Sequence, residues 1–108
     1  MNTKKASLAQ EKRAAMLHGG SVNSGSGNQP WRKNDVRTPD TSWELKTTTK
    51  KQYTLKSSEL IQAEKYALLD GREMRFGVEM EGRNWVVLSE EDYLVLTEKA
   101  RDGSEAPG

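Results

Sequence analysis

Apolar and polar positions alternate most clearly over 74–80, where Met74, Phe76, Val78 and Met80 fall on one side and Arg75, Gly77 and Glu79 on the other. Strand side chains point to opposite faces in turn, so this spacing predicts a half-buried β-strand. Glu81 to Asn84 reads as a turn into a second apolar strand, Trp85 to Leu88. Further upstream, 33–49 reads as a hairpin. If Thr38 to Thr41 form its turn, Arg37 lies opposite Ser42, Val36 opposite Trp43 and Asp35 opposite Glu44. Trp43, Leu45 and Thr47 then share one face, and Glu44 and Lys46 the other. Gln52 to Leu55 has strand composition and is expected to add a third strand.

Three helices complete the pattern. Ser7 is a plausible cap for a helix over 8–17, with Leu8, Ala15 and Leu17 available to the core and Gly19 and Gly20 ending it. Ser57 or Ser58 can cap a second over 59–69, whose apolar stripe is Leu60, Ala63, Ala67 and Leu68 and whose stop is Gly71. Ser89 and Asp92 form a capping pair for a last helix to about Lys99, with Tyr93, Leu94 and Leu96 to pack it. The order helix, three strands, helix, two strands, helix predicts an α/β (α+β) domain over 8–99 between flexible tails at 1–7 and 100–108.

Composition narrows the chemistry. With 108 residues and a third of them apolar, one small domain is expected. Cysteine is absent and His18 is the sole histidine, which excludes disulfides, thiol nucleophiles, thiolate zinc sites and two-histidine metal sites. No apolar run reaches bilayer length and the N-terminus has no signal-like apolar core, so a soluble cytoplasmic protein with no membrane partner is expected.

The net charge of +1 conceals a segregation: up to Lys56 eleven basic residues face four acidic ones, and beyond it six face twelve. A basic first half suits a polyanion, although from charge alone a solvated surface is the slightly better reading. Phosphate-contacting candidates are Lys12, Arg13, Arg32, Lys33, Arg37, Lys50 and Lys51. Gly20 to Trp31 is rich in Gly, Ser and Asn and reads as a mobile loop. It lacks a complete phosphate-binding motif, and a plain linker is the commoner meaning, but Ser24, Ser26 and Asn28 could offer polar groups to a phosphate. Trp31 is either a core anchor or a base-stacking ring.

The hairpin carries the sharper signal. Two carboxylates facing each other across strands repel unless something positive lies between them. Asp35, Glu44 and the neighbouring Lys46 therefore suggest a divalent cation beside a phosphodiester. Asp40 is a rival acid, but in Thr38-Pro39-Asp40-Thr41 it reads as a turn residue.

Asp35 followed nine residues later by Glu44-Leu45-Lys46, on the middle strands of such a core, resembles the PD-(D/E)XK nuclease superfamily. Gln62-Ala63-Glu64-Lys65-Tyr66 matches the Gln-hydrophobic-x-x-Tyr motif of its RecB-like branch, and the compact size and the Ser/Gly loop look most like phage and archaeal Holliday junction resolvases. The resemblance covers roughly 8–96 and departs from the pattern at Asn34, where proline usually precedes the aspartate. It implies a restriction-endonuclease-like core, αβββαβ, with an extra strand and a C-terminal helix, the mixed sheet flanked by helices. It also implies Mg²⁺ or Mn²⁺ held by Asp35, Glu44 and the Leu45 carbonyl, with Lys46 acting on water or the transition state. Glu11 would hold a second metal through water, and Gln62 and Tyr66 would position the site. The implied activity is structure-selective DNA cleavage, most like that of a junction resolvase working as a homodimer. A flap or single-strand nuclease and a non-catalytic DNA-binding or interaction module are the alternatives.

Overall fold

Parallel strands cannot be joined by a tight turn, and this rule shapes the centre of the molecule. The computed structural model describes residues 3–22 and 34–105. Its elements are α1 (Thr3–His18), β1 (Ser21–Val22), β2 (Val36–Arg37), β3 (Thr41–Thr48), α2 (Ser57–Leu69), β4 (Glu73–Met80), β5 (Arg83–Val87) and α3 (Glu90–Glu105). The five strands form one mixed sheet in sequence order, antiparallel except where β3 and β4 run parallel, with α2 as the crossover between them.

The β2–β3 register is the expected one, Val36 opposite Trp43 and Arg37 opposite Ser42. Its turn closes through the Thr38 N–H on the Thr41 carbonyl at 2.8 Å, and the Thr38 hydroxyl donates to the Asp40 carboxylate at 3.0 Å, so Asp40 is a turn residue. Glu73 N–H also donates to the Asp40 carbonyl, which ties the turn to the start of β4.

Parity along β3 and β4 divides the core in two. Glu44 and Lys46 stand beside Phe76 and Val78 on the face that α2 covers, where Met74, Phe76 and Val78 pack with Ala63 and Ala67. Trp43 and Leu45 lie on the other face with Val36, Ala14 and Ala15, under α1. Leu45 has room because Gly77 lies beside it: a Cβ there would come 2.7 Å from a Leu45 methyl. Small α1 residues let that helix sit close, and His18 stacks on Trp43 at 4.2 Å between ring centroids.

Several expectations are corrected. The strand expected at Gln52–Leu55 is not one: β2 and β4 already occupy both edges of β3, so that stretch serves as the connection to α2. The third strand of the first group is β1, in a stretch read as loop. α1 and α3 extend into the expected tails, to Thr3 and Glu105. α2 has Lys56 at its cap with no side-chain hydrogen bond, so neither Ser57 nor Ser58 caps it. Leu8 and Leu17 are exposed, and Gln10 and Ala14 are buried in their place. Tyr93, Leu94 and Leu96 are exposed, although Ser89 does cap α3 through its hydroxyl and the Asp92 N–H at 3.1 Å. Between β4 and β5 the two-residue turn places Glu81 and Gly82 at positive φ, 48° and 74°, the combination a tight primed hairpin turn demands. Among the described residues no helix is long and apolar enough to cross a membrane.

Candidate functional site

The site begins where β2 stops. Beyond Val36 the ladder with β3 ends, which leaves the next outward N–H of β3, that of Leu45, without a strand partner. The Asp35 carboxylate takes its place, accepting from Leu45 N–H at 2.8 Å, while Asp35 N–H donates to the Trp43 carbonyl at 2.7 Å. In a strand the N–H and C=O of one residue point to the same edge, so the Leu45 carbonyl is directed toward the edge that Asp35 occupies.

Glu44 is hydrogen-bonded to Asp35, and its pKa is pushed up to about 8, first by burial, then by that hydrogen bond and the Asp35 charge. A half-buried carboxyl group beside a second carboxylate resists ionisation, so Glu44 keeps its proton at neutral pH. On α1, Glu11 is raised by burial and then by Asp35, so it too looks toward this acid. The Lys46 ammonium lies 3.9 Å from Glu44 and 3.5 Å from Glu59. Its backbone carbonyl accepts from the Gln10 amide at 2.8 Å, which fixes α1 over β3.

A cavity of about 250 Å³ opens beside these groups, lined by Glu44, Lys46, Glu59, Gln62, Ala63 and Tyr66. Gln62 and Tyr66 are thus on the same side as the acid–lysine group, and the Gln62 amide donates to the Tyr66 hydroxyl at 3.2 Å.

Three residues outside the expected site set also shape this region. Glu59 anchors Lys46 and accepts from the Tyr53 hydroxyl at 3.1 Å; burial, and then this bond, pushes the Tyr53 pKa up to about 12. Buried Gln10 ties α1 down. Buried Asn34 donates to the Ser42 hydroxyl at 2.9 Å and to the Ala63 carbonyl at 3.1 Å, joining the hairpin to α2 immediately before Asp35. The polar residue where proline was expected is the strap that positions the acid. A Gln or Asn with an apolar neighbour at strand or helix spacing is the only sequence signal such residues leave.

Of the phosphate-contacting candidates, Lys12 and Arg13 are exposed on α1, and Lys50 and Lys51 are exposed just after β3. Arg37 is half-buried against Asp70 at 3.7 Å, so it serves the fold there rather than facing outward. Ser24, Ser26, Asn28, Trp31, Arg32 and Lys33 lie outside the described residues.

The donor set suits a hard divalent cation. Glu44 is hydrogen-bonded to Asp35 and holds a proton whose place a cation could take, and the Leu45 carbonyl adds a neutral oxygen at the same edge. Among the described residues no group of three or more His, Asp or Glu side chains stands together to hold a metal, so the remaining ligands would be water, as Mg²⁺ commonly keeps. Glu11 could then reach the ion only through such a water. No family model, curated protein or solved structure matches this chain.

Proposed function

We propose that this protein is a divalent-metal-dependent DNA endonuclease with a restriction-endonuclease-like core, selective for branched DNA, and that it works on four-way junctions as a homodimer. The observation that carries the reading is the convergence of Asp35, Glu44 and the Leu45 backbone at the edge where β2 ends, with Lys46 alongside. An acid pair this costly to ionise serves no evident purpose in the fold, since Leu45 N–H needs only one acceptor. The run α1, β1, β2, β3, α2, β4 supports the core assignment, because it sets the acids on adjacent strands and the Gln62/Tyr66 pair on the helix facing them.

Asp35, Glu44 and the Leu45 carbonyl would hold Mg²⁺ or Mn²⁺, which when bound supplies charge neutralisation at the phosphate and lowers the pKa of a coordinated water. The side chains supply the rest. Lys46, held between Glu44 and Glu59, keeps its ammonium at the cavity mouth, where it can hydrogen-bond an attacking water or a phosphate oxygen. Gln62 and Tyr66 present an amide and a hydroxyl to the strand lying in the cavity. Lys12, Arg13, Lys50 and Lys51 offer positive charge to the flanking phosphates.

A cleavage panel tests this: four-way junction, flap, single-stranded and duplex DNA, each with Mg²⁺, Mn²⁺, Ca²⁺ or EDTA. Nicking of the junction with Mg²⁺ or Mn²⁺ is expected, and none with EDTA. Asp35→Asn, Glu44→Gln and Lys46→Ala should each lower the rate on the order of 10²–10³-fold while DNA binding persists. A preference for flaps or single strands would change the substrate assignment. Normal cleavage by all three variants would remove the site, and binding without cleavage under any metal would leave a DNA-binding module.

A further inference from the structure

Helical spacing puts Glu59, Gln62 and Tyr66 on one face of α2, and all three line the cavity that Glu44 and Lys46 share. Gln62 and Tyr66 are tied to each other. Glu59 is tied instead to the core and to Lys46. The Tyr53 hydroxyl lies 3.1 Å from each of its two carboxylate oxygens and donates across them, while the Tyr53 ring packs on buried Phe76 at 6.4 Å between centroids. The first turn of α2 adds the positive end of the helix dipole, which favours an anion there. The Glu59 carboxylate is therefore fixed independently of Lys46.

Lys46 has a flexible four-carbon stem and two acids within reach, its ammonium lying 3.5 Å from Glu59 and 3.9 Å from Glu44. They are not equivalent partners. Glu44 is already hydrogen-bonded to Asp35, and a divalent cation held by those two acids would repel an ammonium so close to them. Glu59 does not complete the ligand set itself, since among the described residues no three acids stand together to hold a metal. We propose that Glu59 is a positioning residue for Lys46: clamped by Tyr53, it holds the ammonium on the α2 side of the cavity, clear of the Glu44 carboxyl that would grip the cation. The inference rests on the proposed function and names the residue that places its lysine.

Two measurements test it, and the first needs no metal. In nitrogen-15 spectra of the lysine ammonium groups, Lys46 should give an ordered, slowly exchanging signal, whereas Lys50 and Lys51, exposed just after β3, should be mobile. Glu59→Gln should bring Lys46 to their mobility, and Tyr53→Phe, which keeps the ring on Phe76, should do so in part. The second is a double-mutant cycle on Mn²⁺ affinity, read by titration calorimetry. Glu59→Gln should weaken binding on the order of 10-fold, because the freed ammonium turns to Glu44 and competes with the ion, and by less than about 2-fold in a Lys46→Ala background. Equal weakening in both backgrounds would mean that Glu59 acts on the ion itself and overturns the proposal. So does Mn²⁺ binding that Glu59→Gln leaves unchanged, or a Lys46 signal as mobile as that of Lys50. If Glu59→Gln fails to fold, Tyr53→Phe carries both measurements with smaller shifts in the same directions. A Lys46 ordered by Glu59 in a protein that binds no Mn²⁺ keeps the positioning role and removes the nuclease reading. DNA cleavage by a protein whose Lys46 is mobile does the reverse.

Discussion

The hairpin–α2 region and the α3 region face opposite problems. Around Asp35 polar groups from several elements are tied to one another: Leu45 N–H to Asp35, Asn34 to Ser42 and Ala63, Lys46 to Glu59, Tyr53 to Glu59. What stays unresolved there is electrostatic, a Glu44 carboxyl group held against the Asp35 carboxylate and resisting ionisation. Along α3 the charges are solvated and what stays unresolved is apolar surface. The difference teaches that each region lacks a different thing. On the proposed function a cation would complete the first, while the apolar surface of the second is left without cover from any described element.

Packing gives the largest effect that separates the two regions. Phe76, fully buried under α2, should cost about 3–5 kcal/mol of stability when changed to Ala, measured by urea unfolding. In protein dilute enough to be monomeric, Leu96→Ala should change stability by only about 0.5 kcal/mol or less. Similar losses at the two positions would mean that α3 packs on its own body.

The next effect is a pH dependence that only the acid pair should show. Glu44 titrates near 8 in the folded protein and near 4.5 as a free side chain. Between those values the folded, metal-free protein holds a proton that the unfolded chain has released, so stability should fall as pH rises from about 5 to about 8. Glu11, raised for related reasons, acts with the same sign. Melting temperatures across that range should show the decline, with Mg²⁺ restoring most stability at its alkaline end, and Glu44→Gln should flatten it.

Asn34→Ala should cost about 1–3 kcal/mol, because it leaves the Ala63 carbonyl and the Ser42 hydroxyl without their buried donor. If the strap also positions the acid, the same change should slow cleavage beyond what the lost stability explains. The smallest effect is expected at the α3 cap, where Ser89→Ala should cost about 1 kcal/mol of helix stability, visible in amide exchange of 90–93 with the sheet unaffected.

The sequence was most legible where local chemistry decides structure. The turn at Thr38–Thr41 has its own hydroxyl and carboxylate bonds, so the register from Val36 to Trp43 could be counted outward from it. The alternation from Met74 to Met80 had no competing period, and the grouping of Gln62, Tyr66, Glu44 and Lys46 follows from spacing once α2 covers β3. Long-range competition was not legible. Gln52–Leu55 has strand composition but finds no open edge on β3, because β2 holds one side and β4, which pairs Thr41 with Glu73, holds the other. Glu59 is a first-turn helix acid by its position, and its partner Lys46 lies on another element. The apolar run in α3 signals burial without saying in what, and among the described residues nothing covers it.

Proton release on metal binding is the most direct measure of the paired acids. Titrating Mn²⁺ into the protein near pH 7, in buffers of different ionisation enthalpy, should show about one proton leaving per ion bound, because Glu44 must give up its own. Glu44→Gln should abolish that release and most of the affinity. Binding that releases no proton, or that Asp35→Asn and Glu44→Gln leave undiminished, would mean that the cation sits elsewhere and that these two carboxylates are not its ligands.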